Sequence, residues 1–239
     1  STLILVKADV EPKKINTHSK TGSPYFREDK EQVRSADEAP QIRQTDLVSG
    51  KVTILKGNPP KKPDAIVTVP HAVDDGIENG HSCDWTAEIA GRQLAHYLSE
   101  LGVHTCLLIG EEPRTSIDLN RIESEGTPFH FELNELIPSC SVLYDVHSYP
   151  ENHPIWGEYD AVLFGFGPFQ TDNNNKDIVD LARSIEQITG ANVLVDIATE
   201  KENYIQNKSN IFGKEGHLIE FNEASKNLGI EEAIAMHSI

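Results

Sequence analysis

Ala65-Ile66-Val67-Thr68-Val69-Pro70-His71 is a short apolar run that halts at a proline and a histidine. Beyond a glycine-containing loop, Asp84-Trp85 opens a stretch in which Trp85, Ile89, Leu94, Tyr97, Leu98 and Leu101 recur near helical spacing. Asp84 is placed as its N-cap, and Gly102 stands where a glycine ends a helix. A second apolar run, Thr105-Cys106-Leu107-Leu108-Ile109, follows. Both runs have the length and the continuous apolar character of strands buried on two faces.

The same alternation continues toward the C-terminus. Residues 141–146 read as a strand ending at His147, residues 160–164 as another, and 177–189 as a helix stopped by Gly190. Residues 192–196 and 217–221 read as strands, and a last helix starts after Gly229. Asn173-Asn174-Asn175, the one low-complexity patch, reads as a loop. Strands alternating with helices predict an α/β fold with a mixed, mostly parallel central sheet and helices on both faces. Residues 1–62 differ: they are polar, punctuated by Thr21-Gly22-Ser23-Pro24 and Gly57-Asn58-Pro59-Pro60, with strand character only at 3–6 and 52–55. The expected division is a basic N-terminal arm or small subdomain over 1–62 and an α/β domain over 63–239.

Charge follows that division. Across 239 residues the net charge is -17, but residues 1–62 carry 12 Lys+Arg against 8 Asp+Glu, and the remainder carries 9 against 30. So acidic a body repels nucleic acid at long range. No run approaches the roughly 18–20 apolar residues of a membrane span. Residues 3–6 are too short an apolar run for a secretory signal. Three cysteines (Cys83, Cys106, Cys140) without a CxxC pair fit neither a disulfide scaffold nor a cysteine-rich zinc site. A cytoplasmic protein is the expectation.

Ligands of open α/β sheets gather at the carboxyl ends of the strands. The reading above puts His71 with Asp74 and Asp75, Glu111 to Arg114, His147, and Glu220 or Glu223 at those ends. Two histidines and a carboxylate around an open position make a catalytic zinc site. His71-Ala72-Val73-Asp74 offers a His-x-x-Asp pair, and His147 completes the set. Each residue also has an ordinary structural reading: hydrogen-bonded histidines, and turn aspartates before Gly76. Glu220 sits inside an apolar strand, where burial without a purpose is unfavourable. Only four arginines follow residue 62, and two of them, Arg114 and Arg121, are close together. They either neutralise nearby acids such as Asp118 or grip a carboxylate ligand. No G-x-S-x-G elbow, Walker motif or dinucleotide glycine fingerprint is present.

Val69-Pro70-His71, Asp84-Trp85, Arg114 before Ile117-Asp118-Leu119-Asn120-Arg121, Asp145-Val146-His147-Ser148 and Ile219-Glu220-Phe221-Asn222 occur in that order. The ordered set resembles the N-formylglutamate amidohydrolase family, within the zinc-carboxypeptidase-like group that includes poly-γ-glutamate hydrolases and aspartoacylase-type deacylases. The resemblance covers about residues 64–225. It implies one Zn2+ per chain held by His71, an acid after it and His147, with Asp74 taken first and Asp75 and Asp84 left as alternatives. It implies Glu220 as general base, Arg114 as stabiliser of the oxyanion, and Asn120 and Arg121 as holders of a substrate carboxylate. Asp74 stands where the carboxypeptidase pattern has glutamate. Glu223 would face the opposite side of a continued strand from Glu220.

The expected activity is zinc-dependent hydrolysis of an amide bond near a carboxylate, in N-acyl amino acids such as N-formylglutamate or in γ-glutamyl peptides. The expected partner is a small acidic or peptide-like substrate, not nucleic acid or a membrane. A metallocarboxypeptidase and a non-catalytic carboxylate-binding relative are the alternatives.

Overall fold

The computed structural model describes residues 43–44, 52–56, 62–73, 83–165, 172–197, 204–225 and 228–238. Among them the strands are β1 (Arg43–Gln44), β2 (Val52–Lys56), β3 (Ala65–Val69), β4 (Thr105–Gly110), β5 (Val142–Tyr149), β6 (Ala161–Gly165), β7 (Val193–Ile197) and β8 (Glu215–Asn222). The helices are α1 (Ala87–Glu100), α2 (Pro128–Leu136), α3 (Asp172–Thr189), α4 (Tyr204–Ile211) and α5 (Ile230–His237). One sheet runs in the order β1-β2-β4-β3-β5-β8-β6-β7. Its centre, β4-β3-β5-β8, is parallel throughout, whereas β2 and β6 flank it antiparallel. This is the mixed, mostly parallel α/β sheet predicted from the sequence.

The pleat divides the side chains of the sheet between two cores. Val67, Val69, Leu107, Ile109, Val146, Ile219, Leu163 and Val195 pack against α1, α3 and α5. Ile66, Cys106, Leu108 and Leu143 point the other way, onto Phe129 and Leu133 of α2 and Ile205 of α4. On that second face, further along the sheet, Val162, Phe164, Leu194 and Leu218 are covered by Tyr149, Tyr159 and Trp156. Helices therefore lie on both faces.

Several local expectations differ from the fold. Helix α1 starts at Ala87, with Thr86 at the N-cap position and no side-chain capping bond. Asp84 is not the cap, because its carboxylate is turned toward two histidines. The Asn173–Asn175 patch lies inside α3, which begins at Asp172. Asparagine is tolerated in a first helical turn, where backbone amides have no intrahelical partner. Helix α2 is an element not among those expected above; Thr127 caps it, Pro128 begins it, and Phe129, Leu133 and Leu136 are spaced for one buried face. Strand β2, from before residue 62, pairs with β4 along Val52–Lys56. The strand expected at 3–6 lies outside the described residues.

The end of β4 is pressed against the residue before His71. A methyl group on Gly110 would collide with the Pro70 carbonyl oxygen and with Leu119. Only glycine lets these two segments approach so closely. Gly110→Ala is expected to destabilise the fold by about 1–3 kcal/mol, the usual range for overpacking. Urea denaturation checks this, and an unchanged midpoint would contradict the close approach.

Candidate metal centre

The parallel strands β3, β5 and β8 bring their carboxyl ends together. His71 follows β3 by two residues, and its carbonyl accepts the amide of Asp84 at 2.9 Å. His147 lies within β5, in register with Glu220 of β8, and Asp145 precedes it by two residues on the same face.

Both imidazoles turn Nδ1 to one carboxylate oxygen. His71 Nδ1 is 3.2 Å and His147 Nδ1 2.7 Å from Asp84 Oδ2, and the rings meet edge-on with centroids 5.0 Å apart. Both turn Nε2 to a second carboxylate: His71 Nε2 is 2.8 Å from Asp118 Oδ1, and His147 Nε2 3.2 Å from Asp145 Oδ2. Asp145 Oδ1 accepts from the Thr68 hydroxyl at 2.8 Å. His71, Asp84 and His147 are all buried, and their ligand atoms fall within 4.8 Å of one another. This donor set fits a divalent cation. An outer carboxylate on Nε2–H leaves the Nδ1 lone pair facing inward and makes the imidazole a better ligand.

Electrostatics within the cluster is strong. Burial pushes the Asp84 carboxyl up, but the charge of His71 and hydrogen bonds from His147 and His71 outweigh it and hold it far below the usual range. Burial likewise opposes ionisation of Asp118. The hydrogen bond and charge of His71, then Arg114 and the Asn120 amide, hold it low as well. Burial alone would lower the His147 pKa; Asp145 and Asp84 raise it well above the ordinary value. Glu220 goes the other way. Burial, reinforced by Asp84 and Asp145 and opposed by His147 and Arg114, pushes its carboxyl up to about 8.

Arg114 and Arg121 come together, as the sequence placed them, but around an internal acid. Arg114 Nε lies 3.3 Å and Arg121 Nε 3.6 Å from Asp118 Oδ2, and Arg114 Nη1 is 3.7 Å from Asp84 Oδ1. About a third of each side chain stays exposed. Asn120, expected to hold a substrate carboxylate, is anchored from within the protein. Its Oδ1 accepts the Ile205 amide at 3.0 Å, its Nδ2 lies 3.2 Å from His147 Nε2, and the residue is buried. It therefore packs behind His147, on the Nε2 side away from the shared Asp84 oxygen. Asp74 and Asp75 lie outside the described residues, and Asp84 is the acid that the described structure brings to the histidines. The sequence reading offered Asp118 as an acid that the two arginines neutralise, as they do, but gave neither Asp118 nor Asp145 a role behind a histidine. The i−2 spacing of Asp145 from His147 on a strand was a usable signal, whereas nothing local ties Asp118 to His71.

Glu220 and Glu223 separate as strand parity predicts. Glu220 shares the His147 side and is partly buried, whereas Glu223 accepts from Ser148 Oγ on the opposite side at 3.2 Å. Behind the loop that carries Asp118 to Arg121, α2 and α4 form a polar knot. His130 Nε2 donates to the Leu119 carbonyl at 2.8 Å, and its Nδ1 is 3.1 Å from Lys208 Nζ. Lys208 and the Tyr204 hydroxyl both donate to Glu125 Oε2, at 2.5 and 2.6 Å.

The chain matches no family model and no curated protein sequence. Among solved structures, a gene product of Agrobacterium tumefaciens has a TM-score of 0.54 at 15% identity, over 79% of this chain and 92% of that one. That similarity is one of fold. An N-acetylmuramoyl-L-alanine amidase from Clostridium difficile gives 0.47 at 13% identity, over 74% and 93% of the two chains. A bacteriophage poly-gamma-glutamate hydrolase gives 0.42 at 17% identity, over 81% and 90%.

The knot has a pH signature. Burial, and then the Lys208 charge, pull the His130 pKa down to about 4, against the Leu119 hydrogen bond and the charges of Glu125 and Asp145. Because the folded pKa lies below the ordinary 6.5, the unfolded chain takes the proton first as pH falls. The stability contributed by His130 is therefore full above pH 6.5 and lost between 6.5 and 4. In metal-free protein, His130→Gln is expected to remove this component, so urea midpoints across that window fall less steeply than in wild type. Parallel curves would contradict the neutral, buried His130.

Proposed function

We propose that this chain is a zinc-dependent hydrolase that cleaves an amide bond next to a carboxylate, with N-acyl amino acids or γ-glutamyl peptides as its substrate class. The observation that carries this reading is the paired arrangement in which two imidazoles share Asp84 through Nδ1 while each is backed through Nε2 by its own aspartate. Purely structural histidines have no need of three buried or half-buried carboxylates arranged in this way.

His71, Asp84 and His147 would hold the cation, which supplies Lewis acidity to polarise a carbonyl and to bring the ionisation of water down to about pH 7. Glu220, beside His147 in the sheet, takes the proton from the attacking water and returns it to the leaving amine. Arg114 stabilises the negative charge that grows on the carbonyl oxygen. Arg121 receives the substrate carboxylate through its planar fork. Asp118 anchors both guanidinium groups at Nε, which limits the freedom they lose when substrate arrives. The acidic body repels anionic substrates at long range, so these two arginines must do the gathering locally.

Glu220→Gln separates catalysis from metal binding. The variant is expected to keep its zinc and to lose about 10²–10⁴-fold in hydrolysis. The assay is a panel of N-acyl-glutamates and poly-γ-glutamate. Undiminished turnover by the variant would refute the base assignment. Zinc-loaded wild type that binds these compounds and hydrolyses none would point to a carboxylate-binding relative instead.

A further inference from the structure

The first amides of a helix need acceptors from outside it, and the residue in front usually supplies one. In the turn just ahead of α1 the amides of Trp85 and Thr86 have the same need, while the Asp84 carboxylate is occupied with His71 and His147. Trp85 N–H donates to Glu223 Oε1 at 3.2 Å. Thr86 N–H donates to Ser148 Oγ at 3.2 Å, and that hydroxyl passes its own hydrogen to the same Glu223 oxygen at 3.2 Å. Glu223 is itself fixed, its amide donating to the Tyr149 carbonyl at 2.9 Å. Both Ser148 and Glu223 are buried.

We infer that Glu223, acting with Ser148, is a positioning residue that fastens the Trp85-Thr86 turn ahead of α1 and so holds the Asp84 carboxylate on the two histidines. The inference rests on the metal-site reading above. The clamp has a fixed direction: Thr86 amide to Ser148 hydroxyl to Glu223, with the Trp85 amide closing on the same oxygen. It ties the turn carrying Asp84 to the end of β8 and to the residue next to His147. The first helix amide, that of Ala87, donates to the Asp84 carbonyl at 3.1 Å, which leaves the carboxylate to the histidines. Glu223 needs only an acceptor oxygen for this work. A glutamine keeps that oxygen, whereas an alanine removes it.

The test is Zn2+ affinity, measured by competition with a chromophoric chelator, for wild type, Glu223→Ala and Glu223→Gln. In parallel, amide hydrogen exchange at Trp85 and Thr86 is followed in the metal-free proteins. Glu223→Ala is expected to weaken Zn2+ binding about tenfold or more, as loss of outer-shell support does, and to speed both exchange rates about tenfold. Glu223→Gln is expected to stay within about twofold of wild type in both. If Glu223→Ala does not fold, Glu223→Asp, whose shorter arm withdraws the oxygen from Trp85, takes its place with the same expectation. Wild-type affinity and exchange in the alanine variant would overturn the inference. So would a glutamine variant as weak as alanine, which would assign the effect to charge. Wild type that binds no Zn2+ would defeat the metal reading alone, and the exchange rates would then decide whether the clamp exists.

Discussion

Everything in the site depends on where one carboxylate points. Asp84 stands three residues before a helix, close to where the common use of an aspartate is to cap the first turn. Its Oδ2 instead meets the Nδ1 atoms of His71 and His147, and the amides of Trp85 and Thr86, in the turn ahead of the helix, are satisfied by Glu223 after β8 and Ser148 of β5. A buried carboxylate in that position is tolerable only because it is matched by the two imidazoles. Sheet order makes the match possible. β3 and β5 are parallel neighbours and β8 lies next to β5, so the ends carrying His71, His147 and Glu220 converge.

The aspartates behind the histidines extend the same logic outward. Asp118 accepts from His71, anchors Arg114 and Arg121 and accepts the Asn120 amide, so one side chain joins the candidate cation ligands to the candidate substrate-binding arginines. Asp145 is held in turn by Thr68. With so much negative charge concentrated around two histidines, the cluster is poorly balanced without a cation. His147 responds by holding its proton well above the ordinary range, and Glu220 by taking one up readily. Divalent charge at the centre relieves both tendencies, which is a physical reason to expect the site to be filled.

The legible part of the fold was whatever depends on local periodicity. The run at 65–69, the helical spacing after Trp85 and the run at 105–109 became β3, α1 and β4 close to their predicted bounds. The parity of a strand also separated Glu220 from Glu223. Long-range placement was less accessible. Asp118 reaches His71 across a sequence separation of 47 residues, by way of a loop held by His130 and Ile205 rather than by any regular element. The misreading of Asp84 as a cap had a similar origin. A capping signal is local, whereas the histidines that compete for the carboxylate come from two other strands. Asn120 was expected to face substrate, but the Ile205 amide, supplied by a helix with little apolar signal of its own, fixes it inside.

The most direct measurement is elemental analysis of zinc in protein purified without chelator, wild type beside His147→Ala. The structure predicts about one zinc per chain in wild type and its loss in the variant, since His147 supplies one of the two nitrogens that converge on Asp84. Metal-free protein in both cases, even after zinc is supplied, would contradict the account at its centre.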